Sequence, residues 1–464
     1  MAGKNILFIS IFDLTKVFDA ISKKLPASNK YFWITTNELW TNYLLDQGTE
    51  RDKILQLIYK KSDFLTDDEK SELLKELIKN EKEADLNIFQ SIIMDRFLMF
   101  SNMENIEDYV FLYYREISKF LLKHKIDIVF GEPTNFNELL IYIVTKGHNI
   151  DFIAPNHMRY PSDRVVFTKG YLKSELVKLN NSQDRELGKQ YFEQFKSERE
   201  LPSYFTINNK QRVFDILRIT NSIMQRIGQY RKGSVNHLTH HPLKERISYN
   251  LRKVINSFIL RKIQTYKQLN VINKKIAFYG IHVQPENSID VIASFFSDQV
   301  KLIKDIRRSL PFDFTLIVKE HPNKLGSKPL MFYSEIRRIP GVEIIHPLTN
   351  AFEIMEMASL VFTVSGTTAY EAGLLGKPAI MFSPLFFNGL STISYCNNIS
   401  ELSDLVKKSI NRDQDQKNDE EVMADLFENS NSGYWTDPYT DEKVLDDKNI
   451  EKLAVAFDRV ISKC

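Results

Sequence analysis

The feature that most constrains the fold is an alternation of short apolar segments with amphipathic ones, found in two separate stretches of the chain. The first stretch predicts strands at 5–10, 31–35, 127–130 and 151–154, with helices at 15–24, within 66–123 and after 133. The second predicts strands at 276–279, 314–318, 342–345, 360–364 and 379–382, with helices at 297–309, 328–338, 350–358 and 367–375. Such alternation favours an α/β fold with parallel sheets covered by helices, here as two Rossmann-like domains.

Length and composition fit two soluble domains of ordinary size. The chain has 464 residues, of which 43% are hydrophobic, so each half can bury a sizeable core. The two cysteines, Cys396 and Cys464, form no disulfide framework, which is typical of a reducing compartment. The N-terminal apolar run lacks the features of a secretory signal, and no run reaches the length of a membrane span. We therefore predict a cytoplasmic protein, with peripheral attachment to the inner face of the plasma membrane as an alternative.

A basic segment separates the two α/β stretches. Residues 207–275 hold fifteen Lys and Arg against two acids, and their pattern is helical. Three interpretations are open for this segment: a solvated linker, a surface for anionic lipid or acidic glycan, and, third, a nucleic-acid contact without a supporting motif. The predicted organisation is an N-terminal domain at 1–206, the basic insert at 207–274, a C-terminal domain at 275–411, and an acidic tail with a final helix at 412–464.

The turn after the predicted strand at 360–364 has the residue types of a phosphate site. Small and hydroxylic residues pass directly into a helix, whose first backbone N–H groups are then available to an anion. We predict that Ser365, Gly366, Thr367 and Thr368 bind the phosphate of a nucleotide and that Glu371 binds its ribose. The alternative is a capped helix with an ordinary glutamate.

Two further strand ends in the second stretch carry polar residues. Lys319 and His321 follow the strand at 314–318 and can place positive charge on a departing phosphate, and we group Glu320 with them as a binding residue. The strand at 276–279 is followed by a polar loop that is either an ordinary helix-preceding loop or part of the site. In the second case His282 and Gln284 are predicted to bind substrate, and Glu286 to act in catalysis.

In the first stretch, the strand at 127–130 ends in Gly131, Glu132 and Pro133. A proline stiffens this loop, so Glu132 is a candidate general base toward an acceptor hydroxyl, the alternative being an exposed loop carboxylate. Arg159 and Arg164 can hold an acidic sugar through bidentate contacts or can be surface charge. We expect Glu132, Glu286 and His321 to meet at one cleft between the domains.

Other enzyme classes find little support in the sequence. It contains neither a P-loop motif nor a nucleophile elbow, and its Cys and His residues lack metal-ligand spacing. Asp413 and Asp415 form an Asp-x-Asp pair within a generally acidic stretch, which we interpret as solvated charge. We therefore predict no metal site and no cofactor.

Three motifs together resemble the capsule polysaccharide biosynthesis family, which includes the bacterial β-Kdo transferases. They are His282–Glu286 (HVQPE), Lys319–Pro322 (KEHP) and Val364–Pro378 (VSGTTAYEAGLLGKP), and the resemblance covers about 275–400. It implies a GT-B fold with two Rossmann-like domains, a nucleotide-sugar donor in the C-terminal domain, an acceptor in the N-terminal domain, and no metal. Members of the family are known to use CMP-Kdo.

The combined prediction is a glycosyltransferase that moves a sugar, such as a CMP-activated ulosonic acid, onto a surface polysaccharide or its lipid-linked precursor. The expected partners are a nucleotide-sugar donor and a glycan or glycolipid acceptor, with anionic membrane as a further contact and no nucleic acid. The alternatives are a sugar-nucleotide epimerase, a polyol-phosphate transferase, and a non-catalytic scaffold for capsule assembly.

Overall fold

The computed structural model describes residues 3–58, 65–198, 224, 243–260, 262–263, 274–321 and 325–464. Within it the chain forms two compact units. The first comprises residues 1–188 together with 424–464, and the second comprises residues 189–423. Most of the predicted basic insert at 207–274 lies outside the described residues, as do Pro322, Asn323 and Lys324.

The first unit is built on a seven-stranded sheet in the order β13-β6-β5-β4-β1-β2-β3. Its strands are β1 (Asn5–Ser10), β2 (Lys30–Thr35), β3 (Ile54–Gln56), β4 (Ile128–Phe130), β5 (Asp151–His157), β6 (Arg164–Lys169) and β13 (Ser430–Ser432). The five strands from β3 to β5 are parallel, whereas β6 and β13 run antiparallel to their neighbours. The central strands are buried on both faces, which explains their almost continuous apolar sequence.

Eight helices belong to the described part of this unit or begin in it. They are α1 (Leu14–Ser22), α2 (Glu38–Asp46), α3 (Asp67–Ala84), α4 (Ile88–Met94), α5 (Met103–Lys123), α6 (Phe136–Gly147), α7 (Ser182–Glu198) and, at the C-terminal end of the chain, α16 (Asp447–Ile461). The last helix packs on α1, and its Phe457 joins the core formed by Phe8, Phe130 and Phe167. The end of the chain therefore completes the core of the unit in which the chain begins.

The second unit contains a six-stranded sheet in the order β12-β11-β10-β7-β8-β9, in which all strands are parallel. Its strands are β7 (Lys275–Gly280), β8 (Phe314–Lys319), β9 (Val342–Ile345), β10 (Leu360–Thr363), β11 (Ala379–Met381) and β12 (Ile393–Tyr395). When β7 is counted as the first strand of this unit, the order of the strands in the sheet is that of a Rossmann fold.

The helices of the second unit lie between these strands and around them. They are α8 (Leu243–Leu260), α9 (Asn287–Asp290), α10 (Gln299–Ser309), α11 (Leu330–Arg337), α12 (Ala351–Met357), α13 (Thr368–Leu374), α14 (Leu402–Ile410) and α15 (Gln416–Glu428), the last of which continues into the first unit. Asn350 caps α12 by accepting a hydrogen bond from the backbone N–H of Phe352 at 3.0 Å.

The predicted fold class is confirmed, since each unit is an α/β layer structure with a mainly parallel sheet. The sequence did not predict β3, β6, β12 and β13. The last of these has the sequence Ser-Asn-Ser, which has no strand pattern and pairs with β6 through tertiary contacts. Among the described residues, no helix is both long and apolar enough to cross a membrane.

Candidate functional site

Both sheets have a point at which the strand order reverses, and the predicted site residues follow the strands at these points. In the second unit the reversal lies between β7 and β10, and in the first it lies between β1 and β4. Helices leave opposite faces of a sheet at such a point, so a crevice opens outside the carboxyl ends of the two strands. The loops after β7 and β10 contain His282 and Ser365, and the loop after β4 contains Glu132.

His282 connects the two loops at the switch point of the second unit. Its Nε2 accepts a hydrogen bond from the backbone N–H of Val364 at 3.0 Å and lies 3.1 Å from the Thr363 hydroxyl. Burial, aided by the nearby His321 and Lys328, lowers the pKa of His282 to about 3, so its imidazole is neutral. Because Nε2 accepts, the proton of the neutral ring resides on Nδ1. His282 thus fixes the start of the turn after β10.

Side chains at the turn after β10 form hydrogen bonds with backbone groups and hold its conformation. Thr363 accepts a hydrogen bond from the backbone N–H of Gly366 at 3.1 Å, and Ser365 donates to the carbonyl of Ser288 at 2.7 Å. A Cβ on Gly366 would lie 2.6 Å from the Thr363 hydroxyl and 3.3 Å from the His282 ring, so a side chain here would displace the turn. The Ser365 hydroxyl proton is already in use, and the Ser365 oxygen remains an acceptor.

Gln284 lies at the centre of a hydrogen-bond network under this turn. Its Oε1 accepts from Gln299 Nε2 at 2.5 Å and from Lys328 Nζ at 3.3 Å, while its Nε2 donates to Asp290 at 2.8 Å and to the Ser297 carbonyl at 2.8 Å. A direct contact between Gln284 and a ligand would break one of these bonds. The structure therefore places this predicted binding residue as a support for the loop after β7.

Lys319 ends β8 and is 6% exposed. Among the described residues its ammonium has no hydrogen-bond acceptor and no ion-pair partner, although the adjacent Glu320 favours its charged form. Burial lowers the pKa of Lys319 to about 8. A buried cation without a partner is costly, and an anionic ligand would offset that cost.

Glu320 and His321 follow Lys319, and they differ in exposure. Glu320 is buried and accepts hydrogen bonds from the Tyr333 hydroxyl at 2.5 Å and from the His321 backbone N–H at 2.8 Å. Burial raises the pKa of Glu320. His321 is partly exposed and near enough to His282 to affect its pKa. The bonds of Glu320 fit a role in shaping this strand end, whereas His321 has access to a ligand.

Lys328 is a cation of this site that the sequence did not predict. Its aliphatic stem and ammonium lie against Phe332, with Nζ 4.7 Å from the ring centre. Burial lowers the pKa of Lys328, and the charges of Glu320 and Asp290 oppose that shift. Lys319 and Lys328 both lie near Glu320, and His321 and Lys328 both lie near His282, so we call these three basic side chains the basic cluster.

The remaining predicted residues of the second unit lie in two short helices or directly before them. Thr367 precedes α13 without a side-chain cap bond, Thr368 begins the helix, and Glu371 is buried within it. Glu286 is exposed and precedes α9, where its backbone N–H donates to Asp290 at 2.8 Å. The strand, turn and helix predicted at 360–375 are confirmed, and the ligand contacts predicted there stay predictions.

In the first unit, Glu132 is held by an indole. Glu132 is partly buried, and its Oε1 accepts a hydrogen bond of 2.6 Å from Nε1 of Trp435, whose ring packs against Phe18 and Phe457. Burial raises the pKa of Glu132, and the Trp435 hydrogen bond opposes that shift because it favours the ionised form. A carboxylate with a raised pKa in a fixed orientation is suited to accept a proton.

The loop that carries Glu132 is fastened by a second carboxylate, Glu138. Glu138 is buried at the start of α6 and accepts from the backbone N–H groups of Glu132 and Thr134, both at 3.0 Å, and from the side chains of Thr134 and Asn135. Burial raises the pKa of Glu138 to about 8. The sequence predicted a stiff loop from Pro133 alone, and these four hydrogen bonds hold the loop in addition.

The two arginines predicted near an acceptor have different environments. Arg159 is partly exposed, has a left-handed backbone with φ of 76°, and contributes positive potential at both Glu132 and His157. Arg164 is buried, forms an ion pair with Asp184, and donates to the Ser430 hydroxyl at 2.6 Å. The interpretation of Arg164 as a sugar ligand or surface charge is therefore wrong, since it joins β6 to β13.

Replacing Trp435 with Phe should raise the pKa of Glu132 further, because the hydrogen bond that favours the carboxylate is lost. If Glu132 must be ionised to act, the acidic limb of the pH–rate profile should move to higher pH by about one unit, the size expected for one hydrogen bond to a charged group. Steady-state rates as a function of pH would measure this. A matched control is Tyr434→Phe, which removes a neighbouring hydroxyl that bonds to Asp441 at 3.3 Å. An acidic limb at the same pH in the wild type and in Trp435→Phe would contradict the expectation.

Several residues of both sites were missed because their positions carry no local motif. In the second unit these are Gln299, Lys328 and Tyr333, and in the first they are Lys173, Trp435 and Asp437. Glu138 is the exception. It stands three residues after Asn135, the cap of α6, and this Asn-x-x-Glu spacing is a recognisable helix-start pattern. Among the described residues, no group of three or more His, Cys, Asp or Glu is arranged to hold a metal ion.

No protein-family model and no curated protein sequence matches the chain. Among solved structures it is similar to the β-Kdo 2,7-transferase KpsC of Thermosulfurimonas dismutans, at 14% identity, with 79% of this chain and 98% of that chain covered and a TM-score of 0.34. It is also similar to the UDP-GlcNAc 2-epimerase of Methanocaldococcus jannaschii, at 13% identity, 98% and 99% coverage, and a TM-score of 0.26. A third is the glycotransferase of kitacinnamycin, at 11% identity, 99% and 100% coverage, and a TM-score of 0.26. At these values, similarity assigns neither a reaction nor a substrate.

Proposed function

We propose that the chain is a glycosyltransferase whose second unit binds a nucleotide-activated sugar and whose first unit binds the acceptor. The donor class that we propose is a CMP-linked ulosonic acid such as Kdo, and the acceptor is a surface glycan or its lipid-linked precursor. The motifs after β7, β8 and β10 that resemble the capsule polysaccharide family support this choice of class.

The observation that carries the proposal is the buried side chain of Lys319 at the end of β8, near the switch point of the second unit, which forms no ion pair among the described residues. Lys319 is the last residue of β8, which neighbours β7, and His321 and Lys328 add two further groups that can carry positive charge. A nucleotide phosphate is the anion that Rossmann-type sheets bind at this position. As the sugar leaves the phosphate, negative charge develops on it, and these cations would stabilise that charge.

The neighbouring turn would hold the rest of the nucleotide. We assign the phosphate to Ser365, Gly366, Thr367 and Thr368, and the ribose to the buried carboxylate of Glu371. In this assignment His282, Gln284 and Glu320 act by positioning, because Nε2 of His282 and the side-chain polar atoms of Gln284 and Glu320 are engaged within the unit. Gln299 belongs to the same supporting set through its bond to the His282 backbone N–H at 2.8 Å.

Replacing Glu371 with Ala should weaken nucleotide binding by about 1–3 kcal/mol, which is the usual cost of losing a hydrogen bond to a charged group. Titration calorimetry with CMP, UDP and CDP would measure the change. Glu353→Ala is a matched control, since Glu353 lies in the first turn of the neighbouring helix α12 and is exposed. An unchanged affinity of Glu371→Ala for each nucleotide would remove Glu371 from the proposed site.

We further propose that transfer proceeds without a metal ion, with the Lys319, His321 and Lys328 cluster supplying the positive charge that a metal would otherwise give. Turnover should then persist in excess EDTA and should not rise on addition of magnesium or manganese. Activity lost in EDTA and restored by either ion would contradict this part of the proposal.

Incubation with a panel of CMP-, UDP- and CDP-activated sugars tests the function itself. Transfer to a glycan acceptor, or slow hydrolysis of a CMP-linked donor without one, is the expected result. Formation of an epimerised donor would identify an epimerase instead. Failure of every donor to bind or react would favour a scaffold and overturn the proposal.

A further inference from the structure

Helix α8 is attached to the second unit by polar residues. Asn256 is buried and donates from Nδ2 to the carbonyls of Gly326 at 3.2 Å and Lys328 at 2.8 Å. Ser257 is also buried, and Gly326 approaches the helix so closely that a Cβ there would lie 2.3 Å from the Lys253 carbonyl oxygen. One face of the helix is therefore fixed on the loop at 326–328.

The opposite face of α8 is apolar and exposed. Its members recur at spacings of three to four residues, which places them on one side of a helix. They are Ile247, Leu251, Ile255, Phe258 and Ile259, with exposed fractions of 46%, 60%, 50%, 64% and 47%. An ordinary surface helix buries such an apolar stripe and exposes its polar residues. In α8 the apolar stripe is exposed instead, and the polar residues Asn256 and Ser257 are buried against the second unit.

Basic residues accompany this face. Arg252 and Lys262 are exposed at its side and just beyond its C-terminal end. The sequence from 207 to 275, most of which lies outside the described residues, holds fifteen Lys and Arg against two acids. We propose that the apolar face of α8 lies on an anionic phospholipid surface, with its side chains among the acyl chains near the headgroups. Apolar burial and attraction between basic side chains and anionic headgroups act together at such a surface.

The basic composition of residues 207–275 favours an anionic membrane over a second copy of the chain as the partner of the apolar face of α8. Two copies paired through α8 would bring two strongly basic segments together, which costs electrostatic free energy. An anionic bilayer supplies the opposite charge as well as an apolar phase. The inference is independent of the proposed reaction, although it would bring the loop that carries Lys328 near a lipid-linked acceptor.

Flotation of the full-length protein with vesicles tests the inference. Binding is expected to vesicles of phosphatidylethanolamine and phosphatidylglycerol, with much weaker binding to vesicles of phosphatidylcholine alone. The double variant Leu251→Ser, Phe258→Ser should bind the anionic vesicles at least about tenfold more weakly, because it removes the two most exposed apolar groups of the face. Both side chains are exposed, so the variant should unfold at the wild-type temperature.

Phe312→Ser is the matched control, since Phe312 is 97% exposed in the same unit and lies away from α8 in sequence. Its vesicle binding should equal that of the wild type. Three results would overturn the proposal: no binding of the wild type to anionic vesicles, equal loss in Phe312→Ser, and retention of binding in the double variant. A wild-type dimer that the double variant dissociates, without vesicle binding by either, would identify a second copy as the occupant.

Discussion

Glu132→Gln should lower the turnover of sugar transfer by about 10²–10⁴-fold, the range expected when a general base is removed. In the proposed mechanism Glu132 takes the proton of the acceptor hydroxyl as that oxygen attacks the sugar. Glutamine keeps the size of the side chain, and its carbonyl oxygen can still accept the Trp435 hydrogen bond, so the loop should stay in place. The amide has no basic lone pair to take the proton.

The donor affinity separates this role from a structural one. Glu132 belongs to the first unit and the proposed nucleotide residues belong to the second, so the dissociation constant of the donor should stay within about twofold while kcat falls. Initial rates with saturating donor, together with calorimetry of the unreacted donor analogue, measure the two quantities. Glu175→Gln, at an exposed position of the same unit, should match the wild type in both. A Glu132→Gln enzyme with wild-type turnover would remove Glu132 from the chemistry.

Lys319→Met should weaken nucleotide binding and should stabilise the folded protein in the absence of ligand. Nucleotide affinity should fall by about tenfold to a hundredfold, since a charge-assisted contact to phosphate is lost. The folded protein without ligand should become more stable by a few kcal/mol, because methionine fills a similar volume and removes a buried cation that has no partner among the described residues. A loss of binding combined with a gain of stability is not expected for a residue that merely supports the fold.

The pH dependence of stability follows from the lowered pKa of Lys319. Between its folded pKa of about 8 and its ordinary value of 10.5, the unfolded chain binds more protons at this residue than the folded chain does. The wild type should therefore gain stability relative to Lys319→Met as pH rises through that window, and the difference should be constant below it. Chemical denaturation of both proteins at several pH values measures the difference. Lys275→Met, at an exposed position in the adjacent strand β7, should show neither effect. A less stable Lys319→Met protein would contradict the assignment.

Local sequence patterns were sufficient to predict the central strands of both sheets and several of the helices beside them. The apolar runs at β1, β7 and β10 are short and bounded by turn residues, and only a buried parallel strand satisfies that pattern next to helical segments. Motif spacing also located the strand ends at Glu132, Lys319 and Ser365. In these segments local preference and tertiary structure agree, so the sequence alone is informative.

Local sequence patterns could not predict which distant segments of the chain contact each other. Trp435 bonds to Glu132 across 303 positions, and Arg164 reaches Ser430 across 266, because the chain returns from the second unit to complete the first. No periodic signal marks such pairs, since they depend on which surfaces meet after the sheets have formed. The sequence by itself determined two α/β units and the strand ends that carry polar residues. Only the tertiary structure decided that the polar atoms of Gln284 and Glu320 are engaged in hydrogen bonds, and that Lys319 is buried without an ion-pair partner among the described residues. Hydrogen bonding and burial are properties of the assembled fold.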